Sequence, residues 1–233
     1  MRGIELSKAF DAYLNSWISQ LYGTNNGGTL VLNEYEKSLF LTEAQRTLIL
    51  EIYRGDVNAT LGIDKTSLSK VYLKNLIKQA YLEEPVTETP LAGYNQYTSP
   101  LPADCFLILN EVVYLDDDLD NAVAVYPISF DALNKQLRNP YRNPNHSRVL
   151  RTMHGDLINY YSAEPITEIQ ITYLETIPPI IVTNLLDGVT LEGYTTDTPP
   201  VLPSELHSLL IKKAVELAYT YMAPQSNVES NTD

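Results

Sequence analysis

The chain has 233 residues, 44% of them hydrophobic, enough for one large domain or two small ones around an ordinary core, which argues against disorder throughout. Sixteen basic residues against 29 acidic ones give a formal charge of -13, which opposes any general attraction to DNA phosphates or anionic membrane surfaces. Cys105 is the single cysteine, so neither an intrachain disulfide nor a thiolate metal cluster can form.

No run approaches the roughly 20 apolar residues of a membrane span, and MRGIELSKAFDAYL lacks the apolar core of a signal peptide. A cytosol-like compartment, or a particle assembled there, is the expected location. Seventeen tyrosines against four phenylalanines suit half-buried surfaces that meet other proteins or water, since each ring carries a polar tip.

Taken in chain order, residues 4–22 predict an amphipathic helix, with Phe10, Leu14, Trp17, Ile18 and Leu21 at helical spacing and Gly23 closing it. After the NNGG loop, Asn33 is a candidate N-cap, Thr42 with Gln45 reads as a capping box opening a further helix, and Gly55 ends it. SLSKVYLKNLIKQAYLEEP, with Val71, Leu73, Leu76, Ile77 and Ala80, predicts a third helix stopping before Pro85.

Beyond Pro85 the grain changes to short β-rich runs, CFLILNEVVYL and AVAVYPI among them. A short helix is expected at Ser129 to Leu137. RVLRTMHGDLINYYSAEPITEIQITYLETI then predicts antiparallel strands broken at His154-Gly155-Asp156 and Ala163-Glu164-Pro165, and LEGYTT adds a possible short strand. A closing helix from Leu202 carries Leu206, Leu210, Ala214, Leu217 and Tyr221 on one stripe. The expected class is α+β: a helical N-terminal region (1–85), an α+β region with antiparallel sheet and closing helix (86–222), and a flexible polar tail (223–233).

Motifs for chemistry are missing. His146, His154 and His207 lack the partner spacing of a helical zinc motif, and there is neither a phosphate-binding glycine loop nor a G-x-S-x-G elbow. DDDLD at 116–120 starts like a calcium loop, but Asn121 stands where glycine is required and Pro127 where glutamate is. Cys105, followed by Phe106, Leu107 and Ile108, reads as a small buried hydrophobe. No catalytic residue, metal site or cofactor is expected, and the protein is read as a non-enzyme.

What stands out is LRNPYRNPNHSRVLR at 137–151, which holds four of the seven arginines (Arg138, Arg142, Arg148, Arg151) and no acid. Its prolines limit the freedom of the loop, and guanidinium forks can meet carboxylates or carbonyls of a partner. The candidate interface is Arg138, Tyr141, Arg142, Arg148 and Arg151, with Asp116, Asp117, Asp118 and Asp120 as one acceptor set on a neighbouring subunit. The bland alternative is a solvated loop.

Four fragments in order, EYEKSLFLTEAQ, LPADCFLILNE, RNPYRNPN and LPSELHSLLIKKAVELA, resemble a family of virion structural proteins from crAss-like tailed phages of gut bacteria. These are ring or connector proteins below the portal vertex. The resemblance implies a subunit that closes with copies of itself into a ring, dodecameric to match a portal. It would contact portal and other connector or tail proteins, and line a channel through which DNA passes without sequence-specific binding. It further implies a place in the virion at the head-to-tail interface, with assembly in the host cytoplasm, and no membrane partner. The alternatives are a carbohydrate-binding or adhesion module of a phage tail, which needs an exposed tyrosine platform, and a cell-wall hydrolase, which needs a cleft around 116–120.

Overall fold

The computed structural model describes residues 3–22, 32–55, 68–83, 86–115, 122–186 and 188–222. In chain order the helices are α1 (Gly3–Tyr22), α2 (Glu34–Arg54), α3 (Leu68–Leu73), α4 (Leu133–Leu137) and α5 (His207–Met222). The strands are β1 (Ile77–Glu83), β2 (Val86–Leu91), β3 (Tyr94–Pro100), β4 (Cys105–Leu115), β5 (Ala122–Pro127), β6 (Val149–His154), β7 (Leu157–Ser162) and β8 (Ile166–Glu175). The fold is α+β. It divides into two compact units, one of Met1–Lys74 with Ile177–Asp233 and one of Asn75–Thr176. Residue 85, where the sequence suggests a boundary, lies between β1 and β2 of the second unit. The polar tail at 223–233 is outside the described residues.

In the helical unit α1 buries Leu6, Phe10 and Leu14 on one stripe, while Trp17 reaches the surface against Tyr219. Helix α2 is one continuous helix. Asn33 accepts the Glu36 N–H and Glu36 accepts the Asn33 N–H, a reciprocal cap that satisfies two otherwise unpaired donors, and Gly55 ends the helix in the left-handed region at φ 82. The capping box expected at Thr42 and Gln45 is therefore a misreading. Both residues sit mid-helix and buried, where they serve a different purpose.

Ser38, Thr42 and Gln45 recur at i, i+4 and i+7 and form a buried polar stripe against the extended segment that follows β8. Thr42 Oγ1 accepts from Ile180 N (3.0 Å), Ser38 Oγ accepts from Val182 N (3.2 Å), and Gln45 donates to Pro178 O (3.3 Å) and accepts from Val201 N (3.0 Å). The helix thus supplies the hydrogen bonds that a neighbouring strand would supply in a sheet. The segment buries Ile177, Ile180, Ile181 and Val182 alongside, and closes on itself through paired Ile181 and Thr198 backbone bonds. Gly3 sits so close to it that an added Cβ would lie 2.1 Å from Val182 O.

Helix α5 packs on α1 and α2 with Leu210, Ala214 and Ala218 buried, and Leu206, in the 3-10 turn before it, is buried as well. Tyr221, assigned to that stripe by spacing, is 81% exposed: it stands next to the end of the helix, with its ring 6.0 Å from that of Phe40. LEGYTT is not a strand either. Leu191 and Tyr194 bridge across Glu192 and Gly193, both at positive φ, a two-residue turn. Arg46 anchors that turn by forking onto the Glu192 carboxylate, which is held below the ordinary glutamate range by this partner.

The second unit is an eight-stranded sheet in the order β1-β8-β4-β5-β6-β7-β3-β2. Part of the third predicted helix is β1, a correction with a clear cause. Ala80 and Leu82 alternate inward onto the core while Tyr81 is exposed, and β1 pairs along its length with β8, so a period of two with a long partner strand prevails over helical spacing. Only residues 68–73 remain helical in that stretch.

The edge strands β1 and β2 are separated by two residues, so their facing ends lie within about 11 Å. The sheet must therefore curl on itself. Contacts between strands far apart in its order agree: Tyr97 of β3 accepts the N–H of Ile166 at the start of β8 (3.1 Å), and Tyr160 of β7 donates to Glu111 of β4 (2.9 Å). The enclosed face holds Val113, Leu115, Val123, Val149, Ile158, Ile169 and Ile171.

All pairings are antiparallel, as expected, except β5 with β6, which is parallel. A parallel pair cannot be joined by a hairpin. Residues 128–148 make the crossover, folding as a 3-10 turn at Phe130–Ala132, then α4, then two tight turns. Leu133 and Leu137 of α4 pack on Leu150 and Tyr161, the outward face of β6 and β7, in a second small core.

Two predictions concern the helical unit. Thr42→Val keeps the shape but leaves the buried Ile180 N–H without its acceptor, and should lower stability by about 1–3 kcal/mol in urea unfolding. Thr47→Val, whose hydroxyl bonds back to Glu43 O within the helix, should be nearly neutral. His207 is buried with Nε2 3.0 Å from Leu202 O, and burial holds its pKa below the ordinary histidine value. A depressed folded pKa stabilises above the unfolded value of about 6.5, and that contribution is lost as pH falls through the folded value. The melting temperature should fall between about pH 7.5 and 5.5, and His207→Gln should flatten that fall.

Candidate assembly interface

The arginine-rich segment is the crossover itself, so its position follows from the sheet. Its shape comes from asparagines. Asn139 Oδ1 accepts from Tyr141 N (2.9 Å), Asn139 O accepts from both Arg142 N and Asn143 N, and Asn145 Oδ1 accepts from Ser147 N (2.9 Å). Asn145 and Arg148 exchange backbone bonds of 3.0 Å across His146 and Ser147. Asn143 donates to the Tyr94 hydroxyl of β3 (2.7 Å), and Pro144 is buried. The loop is a folded object fastened to the sheet.

The four arginines have separate fates. Arg138 and Arg142 are exposed, and among the described residues neither meets a carboxylate. Between them Tyr141 stands 87% exposed. Arg148 is half-buried: it lies over the Tyr126 ring at 5.1 Å and donates to Tyr141 O (2.8 Å), so it fixes the loop from behind.

Arg151 points the other way, into the curled sheet, where its Nε lies 3.2 Å from Glu111 Oε2. Glu111 also accepts from Tyr160, and burial pushes its carboxyl above the usual range against the opposing pull of Arg151. The same burial drives the Tyr160 phenol far upward, so it stays a proton donor. Arg151 is occupied inside the unit.

Asp116, Asp117, Asp118 and Asp120 lie between β4 and β5, outside the described residues. The aromatic beside the loop was not legible: Tyr126 lies near the end of β5, and the parallel pairing with β6 sets it next to Arg148, while Phe130, 67% exposed, stands near the start of the crossover. Phe130 stacks obliquely near His154.

Nothing in the described residues assembles as a metal-binding cluster. The Cys105 thiol is half-buried and pushed up by burial and by nearby Asp104 and Glu111, opposite to what a nucleophile requires. No described helix is long and apolar enough to cross a membrane. What the crossover offers is a rigid aromatic residue between two unpaired guanidinium groups, the composition of an anchor in a protein interface.

The family described as phage tail ring protein 3/4 matches residues 1–230. Among curated proteins, the chain is 32% identical over 225 residues to "Ring protein 3" of Bacteroides phage crAss001, covering 94% of this chain and 95% of that protein. It is 30% identical over 228 residues to "Ring protein 4/5" of the same phage, covering 92% and 90%. With matches that run nearly end to end, the chain belongs to the phage tail ring protein 3/4 family.

Proposed function

We propose that this protein closes with copies of itself into a dodecameric ring in the head-to-tail connector below the portal, where it links capsid to tail and extends the DNA exit channel. The observation that carries the reading is the near full-length similarity to ring proteins of one phage. The charge of -13 per chain supports it, because an acidic channel wall repels phosphates and lets DNA slide, whereas a basic wall would hold it through many contacts. The ring belongs to the virion and forms in the host cytoplasm, with portal and adjoining tail proteins as partners and no enzymatic step.

In a cyclic ring each subunit presents one surface to a different surface of its neighbour. Arg138, Tyr141 and Arg142 form the outward half of such a contact, and Arg148 positions them. The acceptors are carboxylates or carbonyls of the next subunit, with Asp116, Asp117, Asp118 and Asp120 one available set. Exposed ion pairs contribute about 0–1 kcal/mol, whereas arginines desolvated at an interface reach about 2 kcal/mol each.

The mass of the purified protein, alone and mixed with portal, tests the ring. A species that stays monomeric in both would sink it. Arg138→Ala with Arg142→Ala should leave the monomer's melting temperature nearly unchanged and weaken assembly, with the deficit against the wild type largest at low salt and shrinking as salt screens the contact. Normal assembly at every salt concentration would reduce the segment to a solvated loop.

A further inference from the structure

The crossover has a cavity of its own, about 240 Å³, where α4, the loop and the ends of β5 and β6 meet. Ile128 and Leu150 give it an apolar side, and Tyr126, Gln136, Arg142 and Arg148 stand around it. Two of its lining residues are cations and none is an acid. The sequence from 132 to 155 contains no Asp or Glu, and among the described residues neither arginine is paired with a carboxylate.

Arg148 is already set in place. The Tyr126 ring lies 5.1 Å from its guanidinium carbon, and Tyr141 O accepts one of its N–H groups at 2.8 Å. A guanidinium keeps its charge and carries five N–H donors, so one ring and one carbonyl leave part of the fork unused. Two like charges beside one half-enclosed cavity repel each other. An anion between them turns that repulsion into attraction and accepts charge-assisted hydrogen bonds. Because Arg148 is held from two sides, little of its freedom remains to be lost when the anion arrives.

The charge of the whole chain points to the source of that anion. Copies that each carry -13 repel one another as they gather, so a contact between them needs a place of opposite sign. The crossover is such a place, with Lys135, Arg138, Arg142 and Arg148 in a stretch free of acids. A neighbouring copy brings 29 carboxylate side chains to meet it. A DNA duplex would have to carry a dense row of phosphates past an acidic protein to reach one small recess.

We propose that this cavity receives an Asp or Glu side chain of a second copy, its carboxylate bridging Arg142 and Arg148 beside the Tyr126 ring. The inference rests on the ring reading and deepens it: Arg148 is a recipient of the neighbour as well as a support for the loop.

Gln136→Glu places a carboxylate of the chain's own at the cavity. It should occupy the arginines from within, weaken assembly about tenfold or more, and leave the monomer's melting temperature unchanged or higher. Asn134→Glu makes the same change of charge on α4 outside the cavity lining, and should weaken assembly much less. In Arg142→Lys, carbodiimide treatment of rings built from isotopically light and heavy copies should form an amide between position 142 of one copy and an Asp or Glu of another.

If rings form, as their mass would show, but Gln136→Glu assembles no worse than Asn134→Glu and position 142 joins no second copy, the cavity is refuted while the ring stands. An amide from position 142 only to portal or another tail protein would overturn the choice of occupant. So would a DNA duplex that binds wild-type rings and is released by Gln136→Glu, since it would give the cavity to phosphate. If no ring forms with or without portal, the ring reading itself fails, and the proposal with it.

Discussion

Two neighbouring strands that run parallel cannot be joined by a short turn, and β5 and β6 are such a pair. The chain must travel the length of a strand over the outside of the sheet before it can re-enter beside itself. That detour needs its own means of adhesion, which Leu133 and Leu137 provide by sitting on Leu150 and Tyr161. It also needs to turn back sharply, which the asparagines at 139 and 145 accomplish with their side chains, while Asn143 ties the loop to Tyr94. Everything the protein presents at this face, Tyr141 and its arginines included, is there because one pairing in the sheet is parallel.

The two units solve the problem of satisfying backbone groups in different ways. The sheet pairs its strands with each other, so that β1 and β2 alone are edge strands. The helical unit has no strand partner for the segment after β8, so three polar side chains on α2 stand in for one. Such a stripe is costly unless every member is satisfied, and Ser38, Thr42 and Gln45 each meet a backbone group of the segment. The arrangement fixes the register of an irregular stretch that apolar packing alone would leave free to slide.

The same stripe shows where reading the sequence stops being sufficient. Asn33, Gly55 and the buried stripe of α5 are local signals, carried by a cap, a left-handed glycine and a helical period, and they mark the helices well. Thr42 with Gln45 looks like a cap because the pattern is local, while the partner that explains it lies about 140 residues away. Ile77 to Glu83 fits a helix by spacing and a strand by alternation, and only pairing with β8 decides. The arginine cluster was legible as a cluster. That Arg151 turns inward to Glu111 was not, since the face of a strand residue depends on which neighbours enclose it.

Residues 77 and 174 are cross-strand partners, and Glu175 N donates to Leu76 O at 2.8 Å. The polypeptide therefore enters and leaves the sheet unit through the same doorway, a strand's width apart. A module whose ends meet can be lifted out or exchanged with little disturbance to the host that carries it. For members of one family this permits one half of a subunit to diverge while the other half keeps its architecture. For the experimenter it means that a linker replacing residues 75–176 would have only a short distance to span between 74 and 177.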